Sequence, residues 1–152
     1  MKRGKIVSSD AVARAIRFAI SDIEATQDFI IKSAYVNIVG MHVSIFKTRY
    51  SIKLEDKYAG VSQKDIDAII RNVGQFEVPE GYQIIDVVPS KFITDSRITD
   101  DPIGIFTDFL EAELDVMIAD KNVVKSIGLV MQKAGLQIDG IVTNGFAMRD
   151  IV

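Results

Sequence analysis

The chain has no cysteine and no tryptophan, and among its 152 residues there are one histidine and three prolines. Without cysteine it forms no disulfide, offers no thiolate nucleophile and builds no cysteine-ligated zinc site, a composition that suits the cytoplasm. No apolar run reaches the 18 or more residues that a membrane-spanning helix needs, and the first ten residues, MKRGKIVSSD, lack the apolar core of a secretion signal. The sequence therefore predicts a cytoplasmic protein with no direct membrane insertion.

An excess of positive charge is also missing, since the formal net charge is -3. Nucleic-acid-binding proteins usually concentrate basic residues on one face, so we expect no nucleic-acid partner. What the chain does have is apolar content: 48% of its residues are hydrophobic. That is enough to bury an ordinary core without a metal or a disulfide, in one domain or in one domain with an inserted lobe.

Hydrophobic spacing and capping residues predict three helices. Ser62 and Asp65 form a capping-box pattern before an apolar stripe, which is the clearest of the three signals. The helices are expected at residues 10–24 with Ser9 as the N-cap, at residues 62–74 ending at Gly74, and from Asp120 to a left-handed stop at Gly135.

Alternating apolar residues predict the strands, at residues 34–38, 46–54, 82–88, 110–118 and 138–142. We expect the first two to pair with each other, and the third to end at Pro89 because proline cannot donate to a ladder. Charged residues alternate along 110–118, which predicts a strand near the margin of a sheet. Residues 110–143 read as a parallel strand-helix-strand unit, whereas the middle of the chain reads as a smaller lobe inserted into this α/β framework.

Several blocks of the sequence resemble the FtsA family of bacterial cell-division proteins, within the actin-like superfamily. They include GVSQKDIDAIIRNV (60–73), IIDVVPSKFITD (84–95), DPIG (101–104) and KAGL (133–136). The resemblance implies an α/β fold in which an α+β lobe is inserted in an actin-like framework. Residues 33–113 would form the strand-helix-strand-strand lobe called 1C or SHS2, and residues 1–32 and 114–152 would form part of subdomain 1A.

Actin-like ATPases hold nucleotide phosphates in two hairpins of the Asp-x-Gly-Thr/Ser kind, and neither hairpin occurs in this sequence. The one Asp-Gly pair, Asp139-Gly140, lies within the last predicted strand, where a bulge or turn is the expected reason for it. We therefore expect the chain itself to be no enzyme and to hold no cofactor. ATP and magnesium are expected only if further segments supply the phosphate loops.

Other residues with chemical potential have simple structural explanations. His42 suits a turn at the start of a strand better than a ligand or a base. Asp95, Asp100 and Asp101 could bind a hard cation, but their Pro, Ser and Thr neighbours favour turn chemistry. Ser62 is expected to cap a helix rather than to act as a nucleophile, because no acid-base partners or nucleophile elbow accompany it.

Protein contact remains as the expected function. In the FtsA family the 1C lobe is implicated in self-association and in recruiting division proteins, which implies protein partners and a homo-oligomer. We expect the contact at Lys47, Arg49, Phe106 and Phe109, and the two phenylalanines are either buried packing or an exposed contact. The alternatives are a fragment of a larger actin-like ATPase, or a pilus-assembly or ethanolamine-utilisation relative of the same superfamily.

Overall fold

The computed structural model describes residues 6–38 and 42–143. Helices and two sheets occur together, one sheet with a parallel pair and one with an antiparallel pair, so the predicted class of fold is confirmed. In chain order the elements are α1 (Ser9–Gln27), β1 (Ser33–Ile38), β2 (Val43–Lys53), α2 (Gln63–Val73), β3 (Tyr82–Ile93), β4 (Ile98–Thr99), β5 (Phe109–Asp120), α3 (Lys121–Lys133) and β6 (Gln137–Thr143).

The described residues divide into two compact units. The lobe unit consists of Ile45–Glu80 and Ile84–Ile118, and the framework unit is drawn from Met1–Ser44, Gly81–Gln83 and Ala119–Val152. These limits differ from the predicted lobe of residues 33–113. The lobe unit starts later than predicted because β1 pairs with β6 and so belongs to the framework unit. It ends later than predicted because it includes β5 up to Ile118.

In the framework unit, α1 and α3 pack against each other and bury a small apolar core. The helix α1 begins one residue earlier than predicted, because the N-cap is Ser8 and not Ser9: the Ser8 hydroxyl accepts from the Ala11 N–H at 3.3 Å. Asp120 caps α3 as predicted by accepting from the Asn122 N–H at 2.8 Å. The buried members of this core are Ala13, Ile20, Val130, Met131, Ala134 and Leu136.

The pairing of β1 is the main departure from the prediction. Its partner is β6, in parallel, and not β2, which lies beside β5 in the other sheet. The expected parallel unit of β5, α3 and β6 is wrong for the same reason. The register passes from Ile138 to Gly140 and leaves Asp139 without an opposite residue, which confirms the predicted bulge. Gly140 suits this place, because an added Cβ would lie 3.0 Å from the Tyr35 ring.

The lobe unit is a four-stranded sheet, in the order β2-β5-β3-β4, with α2 packed on one face. The strand β5 is internal and not marginal, and its residues Leu110, Leu114 and Val116 are fully buried. The strand β3 continues through Pro89 to Ile93 instead of ending there. The described pairs of β3 with β4 are Phe92 with Thr99 and Ile93 with Ile98, so they lie beyond Pro89.

The helix α2 follows the predicted signals. The Asp65 carboxylate accepts from the Ser62 N–H at 2.8 Å, and the helix ends at Gly74. Its apolar stripe of Ile66, Ile69 and Val73 is buried against the sheet. Among the described residues, no helix combines the length and the apolar character that crossing a bilayer requires.

Candidate protein-contact surfaces of the lobe unit

Lys47 and Arg49 lie on the face of β2 opposite the core and reach across to acidic residues of β5. Lys47 Nζ lies 2.9 Å from Asp115 Oδ1, and Arg49 contacts Glu113 through Nη2 and lies 3.7 Å from Glu111 through Nη1. The contacts advance along the two strands in opposite directions, so β2 and β5 run antiparallel. We call these five residues the charged row.

Burial differs sharply within the charged row. Asp115 is 7% exposed, whereas the Lys47 side chain that covers it is 81% exposed. A carboxylate so far removed from water needs a hydrogen-bonded cation, and Lys47 supplies one. The row holds three carboxylates and two cations, so both cations face carboxylates within the sheet and little net charge faces outward.

Phe106 and Phe109 lie at the other predicted position: Phe106 is in the connection from β4 to β5, and Phe109 is the first residue of β5. Phe106 is 68% exposed and Phe109 is 43% exposed, so of the two alternatives the structure shows exposure. We call residues 104–109 the aromatic loop. Phe109 also starts the alternation of β5 that leads through Glu111, Glu113 and Asp115, so it lies on the same face as the charged row.

Buried polar groups hold the aromatic loop in place. Thr107 is 4% exposed, and its hydroxyl accepts from the Asp95 N–H at 3.2 Å and lies 3.0 Å from Asp95 Oδ2. The same carboxylate oxygen accepts from the Asp108 N–H at 2.9 Å. Asp95 thus has the turn role that the sequence favours over a cation site. No cluster of three or more metal-ligating side chains occurs in residues 6–38 and 42–143.

The aromatic loop also pairs with the segment that precedes α2. The Val61 N–H donates to the Ile105 carbonyl at 2.9 Å, and the Gly104 N–H donates to the Val61 carbonyl at 2.8 Å. Gly60 has a φ of +75°, and a Cβ there would lie 3.0 Å from the Gly104 carbonyl oxygen. Phe106 is therefore presented on a backbone fixed on both sides, and its exposure is not the result of a loose loop.

Sequence reasoning missed three further exposed apolar side chains near this loop. They belong to two acidic segments, residues 53–58 and 95–109, which together hold six acidic and three basic residues, a net charge of -3. This local excess of acidic residues was the signal that the sequence offered. Lys57 lies 3.8 Å from Asp108 Oδ1 and 5.3 Å from the centre of the Tyr58 ring. The missed residues are Tyr58, Ile98 and Ile103, which are 79%, 67% and 48% exposed.

The remaining candidates have structural roles. His42 is half-buried and engaged in contacts at the start of β2. The Ser62 hydroxyl donates to the Asp65 carboxylate at 2.8 Å, in keeping with its expected place at a helix end. In the framework unit, an apolar cavity of about 170 Å³ lies between α1, β1 and α3. None of the described residues that line it carries a charged side chain that would hold a phosphate.

Comparison with known proteins agrees with the predicted resemblance. The family model described as "SHS2 domain inserted in FTSA" matches residues 40–118. The chain is 26% identical over 148 residues to the cell division protein FtsA of Neisseria meningitidis serogroup B, covering 97% of this chain and 35% of that protein. It is 27% identical over 143 residues to FtsA of Bacillus subtilis, covering 93% of this chain and 32% of the relative. The chain thus spans about a third of the length of the curated relatives it matches.

Among solved structures, a chain of a PilM-PilN type IV pilus biogenesis complex has a similar fold. The TM-score is 0.56 at 13% sequence identity, and the match covers 97% of this chain and 38% of the other. At this level of identity the likeness concerns the fold alone.

Proposed function

Because the chain belongs to the family of the SHS2 domain inserted in FtsA, we propose that it is a non-catalytic protein-interaction module of an FtsA-like cell-division protein. In this proposal it mediates self-association, recruitment of division proteins, or both, at the cytoplasmic face of the membrane at the division site. The family match supports the proposal, since it contains the lobe unit and the four residues expected at the contact.

The exposure of Phe106 is the observation that supports a particular contact surface. Phe106 is 68% exposed, and the loop that bears it is held by hydrogen bonds of Thr107, Asp95 and Val61. Exposing a large apolar side chain on a rigid support costs hydration free energy and brings no packing. Such a side chain is typical of an interface anchor, because little conformational entropy is lost when a partner covers it. We assign the contact to Phe106 and Phe109, with the charged row of Lys47 and Arg49 beside them.

The test is a binding measurement on the immobilised chain. Cytoplasmic segments of the division proteins of the same organism are titrated over wild type and Phe106→Ser, with Phe18→Ser of the framework unit as a matched control. We expect saturable binding of at least one segment, weakened about tenfold or more by Phe106→Ser, as truncating an interface anchor does, and unchanged by the control. Binding that is equal in all three proteins would contradict the assignment of the loop, and absence of any binding would contradict recruitment.

The second candidate is that the chain is part of a larger actin-like ATPase, with the nucleotide site in other segments. The observation that favours it is the coverage, since the chain spans about a third of the FtsA proteins it matches. In that case ATP and magnesium would bind the longer protein, and we propose none for this chain. Isothermal titration of ATP and magnesium into the longer protein and into this chain tests this candidate, because it predicts a heat of binding from the longer protein only. A heat of binding from this chain alone would count against the module.

A further inference from the structure

The strand β2 is the outer strand of the lobe sheet, and its outer edge has no described partner strand. Within the part of the chain that the structure describes, β5 is its neighbour and no strand lies on its other side. It is 11 residues long, contains neither proline nor glycine, and is rich in β-branched and aromatic residues. Ile45 and Phe46 on it are 48% and 38% exposed. A long, regular edge of this kind is a template for another strand.

The hydrogen bonds of β2 indicate which peptide groups are open. The Leu54 N–H, directly after β2, donates to the Asp108 carbonyl at 3.0 Å. Peptide groups of alternate residues in a strand point to opposite sides, so the even-numbered residues of β2 share this direction toward β5. The N–H and C=O groups of the odd-numbered residues from 45 to 53 therefore face away from the sheet.

The positive charges that would ordinarily keep a second copy from pairing with this edge are bound to carboxylates of the same chain. Natural edge strands carry lysine and other charged residues that repel a second copy. On β2 the two central cations, Lys47 and Arg49, bind the Asp115, Glu113 and Glu111 carboxylates of the neighbouring strand. The repulsion that they would exert on an identical strand is reduced by their own carboxylates.

We infer that β2 is a self-pairing strand, which joins two copies of this chain by antiparallel pairing about Thr48. This inference rests on the self-association part of the proposed function and names its surface. Thr48 is the middle residue of Val43–Lys53, so a two-fold axis there overlaps the full length of both strands. The two lobe sheets would become one continuous sheet of eight strands.

The side chains brought together by this register are of the favourable kinds. Thr48 meets Thr48 of the partner subunit, and because the Thr48 peptide groups point toward β5, this is the close type of cross-strand pair. Phe46 meets Tyr50 of the partner subunit, and threonine and aromatic pairs both stabilise antiparallel strands. Lys47 meets Arg49 of the partner subunit, a repulsive pair that the neighbouring carboxylates offset. These pairs favour a second copy as the occupant over an unrelated strand.

Sedimentation velocity from micromolar to millimolar concentration tests the inference on the whole chain. We expect concentration-dependent dimerisation of wild type and of the β-branched control Thr48→Val. Thr48→Lys and Thr48→Glu each place like charges at the two-fold axis, and each should weaken dimerisation about tenfold or more. An equimolar mixture of the two variants should form a heterodimer, because lysine then faces glutamate. Circular dichroism of each variant checks that it is folded.

The outcomes separate this inference from the proposed function. A wild-type chain that stays monomeric throughout, or variants that dimerise like wild type, would overturn the pairing of β2. Failure of the mixture to restore the dimer would overturn it as well. If the Thr48 variants leave dimerisation intact while Phe106→Ser abolishes it, self-association through the aromatic loop stands and β2 has no part in it.

Discussion

Asp115 lies where an unpaired carboxylate would be costly. It is 7% exposed in the internal strand of the lobe sheet, and Lys47 Nζ donates to it at 2.9 Å. Removal of one partner from a largely buried ion pair leaves the other charge without compensation, and this usually costs more than the pair itself contributes. Lys47 therefore has a structural role in addition to the contact role proposed for it.

We predict that Lys47→Met lowers the free energy of unfolding by about 1–2 kcal/mol, a value kept below that of a fully buried pair because Lys47 is mostly exposed. Urea denaturation at neutral pH measures it. Lys53→Met, an exposed position on the same face of β2, is the matched control and should change little. The double variant Lys47→Met/Asp115→Leu should regain most of the loss, and a double variant less stable than Lys47→Met would refute this explanation.

The identity of Phe106 and Phe109 as contact candidates could be predicted from the sequence, but their exposure could not. Two phenylalanines near a turn are compatible both with packing in the core and with exposure to solvent. The outcome depends on the pairing of Gly104 and Ile105 with Val61, more than 40 positions earlier in the chain, and on the burial of Thr107 beneath the loop. Long-range pairing of this kind leaves no periodic signal in the sequence.

Among the elements, helices were predicted better than strand partners, because helix ends depend on neighbouring residues. The contacts of Ser62 with Asp65 and of Asp120 with Asn122 are local. Strand pairing is not local: β1 and β2 are neighbours in sequence, but β1 pairs with β6 about a hundred residues later. The alternating acids of β5 suggested a sheet margin because their partners, Lys47 and Arg49, lie on another strand.

The contact between α1 and α3 has an acid-sensitive component. The Lys133 ammonium donates to Asp10 Oδ1 at 2.8 Å, and this hydrogen bond with its charge lowers the pKa of Asp10 below its usual value. A carboxyl whose pKa is lowered by folding stabilises the fold above its unfolded pKa. That stabilisation is lost as the pH falls through the folded pKa. The pair lies at the surface, so added salt should weaken it.

We predict that Asp10→Asn is slightly less stable than wild type at neutral pH and low salt, since it also removes a favourable charge from the first turn of α1. The difference should shrink as the pH drops below 4, where wild-type Asp10 becomes protonated. Thermal unfolding between pH 2 and pH 7 measures it, with Asp22→Asn in the middle of α1 as the control. A difference that is constant over this range would show that the charge of Asp10 plays no part.

At the scale of the whole molecule, the sequence predicted the family and an inserted lobe, whereas the structure moved the limits of that lobe. The resemblance implied a lobe that begins at residue 33, whereas the contacts of the structure divide the chain between Ser44 and Ile45. The motif IIDVVPSKFITD (84–95) contains most of β3 and the start of the turn that follows it, so it is a local signal. The boundary of a unit depends on which strands meet, and the sequence does not record that.

Hydroxyl-radical footprinting gives the most direct test that the lobe unit acts through its aromatic loop. The chain is labelled alone and with a saturating amount of the division-protein segment that binds it, and oxidation of each phenylalanine is quantified by mass spectrometry. Phe106 should be labelled strongly in the free chain and several-fold less in the complex, while Phe18 of the framework unit, 80% exposed, should be labelled equally in both. Binding that leaves Phe106 fully labelled, or that protects Phe18 instead, would contradict the proposed docking surface.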